Sequence, residues 1–264
     1  MSVPGQVMDP SAVVDRDVII DAPAGRITGY LATPRTAGPW PGMVVIHEAF
    51  GMVEHIRDVA RRLANRGFAA LAPDLYSRVE PFDPSDRESA MAAMFALSDA
   101  DVVADLAQAA AVVRQFAGED VPVGCIGFCS GGRQTLLAAC SSDAFDVAVD
   151  CWGGWITRAG PDAERTPNRP TPVLELASQL RCPLFAASGV EDRNPSPEVA
   201  EELRRRVAGS PNPADIRVYP EAGHAFFADY RETYREEPAA KLWHDVTAFL
   251  DEHLRHGARR GAAT

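Results

Sequence analysis

Runs of apolar residues one strand long alternate along this chain with stretches in which apolar residues return every three or four positions. Gly42–His47 (GMVVIH), Phe68–Ala72, Val121–Gly127, Phe145–Asp150, PLFAAS (183–188) and IRVYP (216–220) read as strands. Between them, Ile56, Val59, Ala60 and Leu63 recur at helical spacing within EHIRDVARRLANRG, with Gly67 as a C-terminal cap. Val102, Val103, Leu106, Ala110 and Val113 predict a longer helix, and Gly131–Cys140, Pro197–Ala208 and Ala239–Leu254 predict three more. Ahead of this series, Asp17–Ile20 and Arg26–Ala32 read as short strands joined by APAG, a hairpin at the sheet edge. A loop rich in Pro, Asp and Glu spans 77–87 and leads into a helix. The polar, proline-rich stretch 158–172 (RAGPDAERTPNRPTP) reads as a surface loop or lid. Residues 1–15 and 257–264 are expected to be flexible. The alternation predicts one α/β domain over 1–264, with a mainly parallel twisted sheet and helices on both faces.

Composition narrows the function classes. The 264 residues are 46% hydrophobic, enough to bury a sizeable core. A net charge of −11 argues against nucleic acid as a partner, because phosphates reward clustered Lys and Arg. No stretch approaches the roughly 18 continuous apolar residues of a membrane span, so no membrane association is expected. The opening MSVPGQVMDPSAVVDRD lacks a basic start and an apolar run, so no secretory signal is expected. Five cysteines are an odd number for a disulfide framework and suit a reduced, cytoplasmic setting. No CxxC occurs, and Cys125 and Cys129 lack the partners of a zinc site, so neither metal nor cofactor is expected.

The candidate chemistry lies in VGCIGFCSGGR, residues 123–133. Gly127-Phe128-Cys129-Ser130-Gly131 has the form G-x-Nuc-x-G where a strand meets a helix. With Ser130 at the apex, Phe128 would fill the cramped position two residues before it; Cys129 is therefore the apex. A helix N-terminus favours a thiolate there, and the N–H of Ser130 is placed to donate to an oxyanion. The same features fit a buried structural cysteine, of which the chain has several. Downstream, SGVEDRNPSPE carries Glu191 and Asp192 after one strand, and EAGHAFF carries His224 after the next. Nucleophile, acid, then histidine is the chain order of an α/β-hydrolase. Of six histidines, His224 alone follows a predicted strand directly and late in the chain.

From about Asp17 to Leu254 the sequence resembles the dienelactone hydrolase family of α/β-hydrolases. The resemblance rests on HEAFGMVEHIRDVARRLANRGFAALAPDLY (47–76), GFCSGG (127–132), GVED (189–192) and YPEAGHAF (219–226). It implies the α/β-hydrolase fold and a Cys129–His224–Asp192 triad that cleaves a small ester or lactone through a thioester. It further implies that Glu48 helps to generate the thiolate when substrate arrives, and that the N–H of Ala49 joins that of Ser130 in the oxyanion hole. A metalloprotease HExxH would need His at 51, where Gly51 stands. Founding members clamp a substrate carboxylate with two arginines, one in a HxFxR pattern; here that position is Ala228. Arg87 matches the other arginine, and Arg133 and Arg231 are the substitutes near the elbow and the histidine loop. Phe50, Tyr76, Trp152, Trp155 and Phe226 are candidate pocket walls, with core packing the alternative. Two other readings stand beside a dienelactone hydrolase: a broad carboxylesterase without dienelactone activity, and an idle hydrolase fold that binds or senses redox state through Cys129.

Overall fold

The computed structural model describes residues 3–158 and 165–255. Eight strands form one sheet: β1 (Val13–Ala22), β2 (Gly25–Pro34), β3 (Gly42–Ile46), β4 (Ala69–Pro73), β5 (Val123–Phe128), β6 (Val147–Cys151), β7 (Leu184–Gly189) and β8 (Ala214–Tyr219). Their spatial order is β1-β2-β4-β3-β5-β6-β7-β8. The β1–β2 hairpin is antiparallel and β2 lies antiparallel to β4; the remaining pairs are parallel. The helices are α1 (Glu54–Asn65), α2 (Arg87–Ala96), α3 (Asp99–Ala117), α4 (Ser130–Ser141), the one-turn α5 (Val173–Leu176), α6 (Pro197–Val207) and α7 (Glu236–Leu250). Among the described residues no helix is long and apolar enough to cross a membrane.

Successive side chains of a strand point to opposite faces. In β3, Val44 and Ile46 pack into one core with Leu106, Val113 and Leu136 of α3 and α4. Met43 and Val45 pack into the other, with Leu63 of α1 and Leu242 of α7. All five residues of β3 are buried, which is why its sequence is an unbroken apolar run without alternation. Asp86 and Ser98 cap α2 and α3 by accepting from the first-turn amides of Ser89 and Asp101.

The edge hairpin is longer than its hydrophobic signal, because β1 pairs from Val13↔Pro34 through Ala22↔Gly25. Residues 13–15, assigned by sequence to a loose start, therefore belong to the sheet. The backbone before it is also held: the buried Arg62 donates to the Pro4 carbonyl at 3.2 Å and to Asp229 at 3.1 Å. Positions 159–164 of the expected 158–172 excursion, and the tail 257–264, lie outside the described residues. The rest of that excursion is laced to the α2–α3 junction: Asn168 donates to the Ala96 carbonyl at 3.1 Å, and the Asp99 amide donates to the Asn168 carbonyl at 2.8 Å.

The joint between β5 and α4 leaves no room for an added carbon. A single residue, Cys129, connects strand to helix at φ 56° and ψ −114°. A Cβ on Gly127 would stand 2.1 Å from the Gly131 carbonyl oxygen, and one on Gly131 would stand 2.2 Å from the Ile46 carbonyl oxygen. Both obstacles are backbone, which cannot step aside. Gly127→Ala is therefore expected to lose at least about 3 kcal/mol in a denaturant melt. Gly209→Ala, where nothing lies within 4 Å of the added carbon, serves as the comparison and is expected to stay within about 0.5 kcal/mol. Equal stability of the two variants would contradict the packing described.

Candidate active site

A positive φ on a non-glycine residue costs on the order of 1–3 kcal/mol and persists only where the surroundings fix it. Cys129 is fixed on both sides: its amide donates to the Cys151 carbonyl at 3.0 Å, and its own carbonyl accepts from the Arg133 amide at 3.2 Å. The turn lifts the side chain out of the core, so that Cys129 is partly exposed while Cys125, Cys140, Cys151 and Cys182 are buried. Ser130 opens α4, and an amide in a helix's first turn has no acceptor within the helix.

Two loops at the ends of β7 and β8 are stitched together beside this turn. The amides of Val190 and Glu191 donate to the carbonyls of Tyr219 and Ala222, each at 2.9 Å. Gly189 permits that approach, since a Cβ there would lie 2.1 Å from the Ala222 oxygen. The result sets Asp192 against His224, with Oδ2 and Nδ1 2.8 Å apart. The other oxygen of Asp192 accepts from the Asn194 amide at 2.8 Å. With the carboxylate as acceptor, Nδ1 carries the proton and Nε2 is left for the cysteine. Burial pulls the His224 pKa down, but hydrogen bonds to Asp192 and Cys129 outweigh it and push it up to about 10.

Glu48 follows β3, and its backbone is held from below by the buried His47. His47 Nε2 accepts from the Leu75 amide at 3.1 Å, so its Nδ1–H is the donor to the Glu48 carbonyl at 2.8 Å. Tyr76 donates to the Ala49 carbonyl at 3.1 Å, fixing the next peptide. The Glu48 side chain is buried, and its Oε1 accepts from Arg231 Nη2 at 2.6 Å and from the hydroxyl of Tyr230. Arg231 Nε donates in turn to the Tyr230 oxygen at 2.9 Å, and the guanidinium lies 4.8 Å from the Phe50 ring centroid. Burial and the charge of Glu48 raise the Tyr230 pKa, which keeps the phenol a donor.

Cys129, His224, Asp192 and Arg231 open on one cavity of about 440 Å³, walled also by Ala49, Phe50, Arg87 and Trp155, with Arg193 on its lining. Four residues named from sequence as candidate walls or anchors stand elsewhere. Arg133 turns into the interior, where it is 1% exposed and makes a two-pronged ion pair with Asp99 at 2.7 and 3.0 Å. Trp152 and Phe226 are buried against each other, ring centroids 5.0 Å apart, and back the site; Trp152 meets His224 edge-on at 6.5 Å. Tyr76 likewise acts from beneath the Ala49 loop rather than from the cavity lining given above. Tyr230, Asn194 and Arg193 carried no motif of their own, although each adjoins a residue that did.

The sequence profile of the dienelactone hydrolase family matches residues 27–254. The chain belongs to that family. It is similar over 238 residues, at 34% identity, to a Methylorubrum extorquens protein named "Putative carboxymethylenebutenolidase", covering 89% of this chain and 80% of that one. A Bradyrhizobium relative, 31% identical over 85% of this chain and 89% of its own length, is named a probable 2-oxo-3-(5-oxofuran-2-ylidene)propanoate lactonase. Among solved structures, a Klebsiella pneumoniae protein titled a putative dienelactone hydrolase superposes with a TM-score of 0.82 at 34% identity, covering 90% of this chain and 98% of that one. The fold is the α/β-hydrolase fold, and this dienelactone hydrolase relative is a hydrolase.

The charge on His224 has a stability consequence. A histidine whose pKa rises on folding, here from the usual 6.5 to about 10, stabilises the fold fully below pH 6.5 and loses that contribution as pH climbs towards 10. The gap in thermal midpoint between wild type and His224→Gln is therefore expected to be widest below pH 6.5 and to shrink steadily up to pH 10. A gap independent of pH would contradict the Asp192 and Cys129 pairing.

Proposed function

We propose that this dienelactone hydrolase relative cleaves small carboxylate-bearing esters or lactones, with Cys129 as nucleophile. The observation that carries the reading is a partly exposed thiol at a helix N-terminus, opening on the same cavity as the Asp192–His224 pair and as Arg231, the ion-pair partner of the buried Glu48. In the resting enzyme Arg231 neutralises Glu48. A substrate carboxylate that reaches Arg231, with Arg87 as a second anchor, displaces Glu48. A buried carboxylate left without its cation takes up a proton readily, and the thiol of Cys129 supplies it.

The thiolate then attacks the acyl carbon, and the amides of Ala49 and Ser130 receive the developing oxyanion. The carbon–oxygen bond to the leaving group breaks, and the imidazolium of His224 protonates that oxygen; in a lactone it stays tethered to the acyl group. His224, oriented by Asp192, next takes a proton from water as the water attacks the thioester, and the thiolate departs and recovers its proton from Glu48 as the product leaves and Arg231 returns to that carboxylate. Esters and enol lactones suit a thiolate better than amides do, because an amine leaves less readily than the thiolate and the adduct collapses backwards. The name of the Bradyrhizobium relative specifies a lactone that bears a carboxylate, the combination that the arginines of this cavity support.

Cys129→Ala is expected to abolish hydrolysis of activated esters, and Cys129→Ser to leave only weak turnover, since a hydroxyl needs a stronger base. Full turnover by Cys129→Ala would refute the nucleophile assignment. Arg87→Gln is expected to raise KM about tenfold for a carboxylate-bearing ester while leaving a neutral ester of the same acyl group unaffected. Equal KM values for the two esters in wild type would favour the broad carboxylesterase.

A further inference from the structure

The ion pair between Glu48 and Arg231 is one side of a closed triangle whose third corner is Tyr230. Arg231 Nη2 donates to Glu48 Oε1 at 2.6 Å, Arg231 Nε donates to the Tyr230 oxygen at 2.9 Å, and the Tyr230 hydroxyl donates to the same Glu48 Oε1. Arg231 thus polarises the phenol that shares its carboxylate. An anion drawn to Arg231 competes with both of its bonds at once, removing the ion pair to Glu48 and, with the polarisation of the phenol, weakening the second hold on that carboxylate. Tyr230 is not on the cavity lining beside Cys129 but borders a second cavity of about 430 Å³, with His55, Asp58 and Asp229. Its ring lies between His55, centroids 5.3 Å apart, and the Arg231 guanidinium, 5.1 Å from its centroid.

We propose that Tyr230 is a positioning residue that restrains Glu48 and makes release of its carboxylate depend on an anionic substrate. Resting on the role given to Glu48 above, this assigns to the phenol the enzyme's preference for charged over neutral esters. A neutral ester cannot compete for Arg231, so with Tyr230 intact Glu48 stays doubly held and the thiol keeps its proton. Without the phenol, Arg231 alone holds Glu48, and neutral substrates gain access to a released carboxylate. One hydrogen bond to a charged group corresponds to about a tenfold change in the released population.

The test is Tyr230→Phe, which removes one oxygen and keeps the ring against His55. Neutral esters are expected to gain about tenfold in kcat with KM unchanged, narrowing the preference for carboxylate-bearing esters by the same factor. Iodoacetamide, applied without substrate, is expected to alkylate Cys129 faster by a similar factor; the other four cysteines are buried and report little. An unchanged or lower kcat for neutral esters, together with an unchanged alkylation rate, would overturn the inference. Glu48→Gln separates the two levels of the argument. If it turns over carboxylate-bearing esters like wild type, the role of Glu48 fails and that of Tyr230 fails with it. If it is slow while Tyr230→Phe behaves as wild type, only the Tyr230 inference falls.

Discussion

Three backbone segments meet at the joint between β5 and α4 with no room for a side-chain carbon. Gly127 approaches the Gly131 carbonyl, Gly131 approaches the ends of β3 at Ile46 and His47, and Gly132 approaches the Asp150 carboxylate. This contact forces one residue into a left-handed conformation and lifts it above the sheet. The residue is Cys129, and everything proposed for the site follows from the thiol's standing there. The same contact brings the exit of β3, which carries Glu48 and Ala49, alongside the start of α4. The two amides proposed for the oxyanion come from those two segments, whose backbones lie in close contact.

Key charges in and around the site are committed to partners. Asp192 is spent on His224, and Glu48 on Arg231 and Tyr230. Arg133, equally close to the elbow in sequence, is spent on Asp99 in the interior. Under the proposed function a substrate displaces an existing contact to engage Arg231, and that exchange links binding to the protonation of the thiol. The arrangement gives a physical sense to an arginine absent at position 228. In the proposed reading the guanidinium comes from three residues later, on the turn where the Arg231 amide donates to the Ala228 carbonyl at 2.9 Å.

Much of this was legible before any coordinates. The strands of the sheet interior are apolar runs because they are covered on both faces, and their order with the helices announces a parallel α/β sheet. The glycine spacing around Cys129 reports a steric constraint, and steric constraints are local enough to survive as a motif. The pairing of Asp192 with His224 was read from their positions after consecutive strands. What could not be read were directions of side chains. Arg133 and Trp152 lie within a few residues of the elbow or of β6, yet a helix face and a left-handed turn at Trp152 (φ 47°) send both inward. Tyr230 was invisible because its role depends on a contact with Glu48, far away along the chain, which only the fold creates. The one-turn α5 is too short to show a period.

The central claim is that acyl transfer runs through the sulfur at the apex of this joint. It is tested most directly by incubating His224→Ala with an activated ester, digesting with trypsin and locating the added mass in the peptide that ends at Arg133. That peptide contains Cys125, Cys129 and Ser130 together, so fragmentation distinguishes them. The account predicts one acyl group, on Cys129, stable in the variant and absent from wild type at the end of the reaction. An acyl group on Ser130, or steady turnover in wild type with Cys129 never modified, would contradict it.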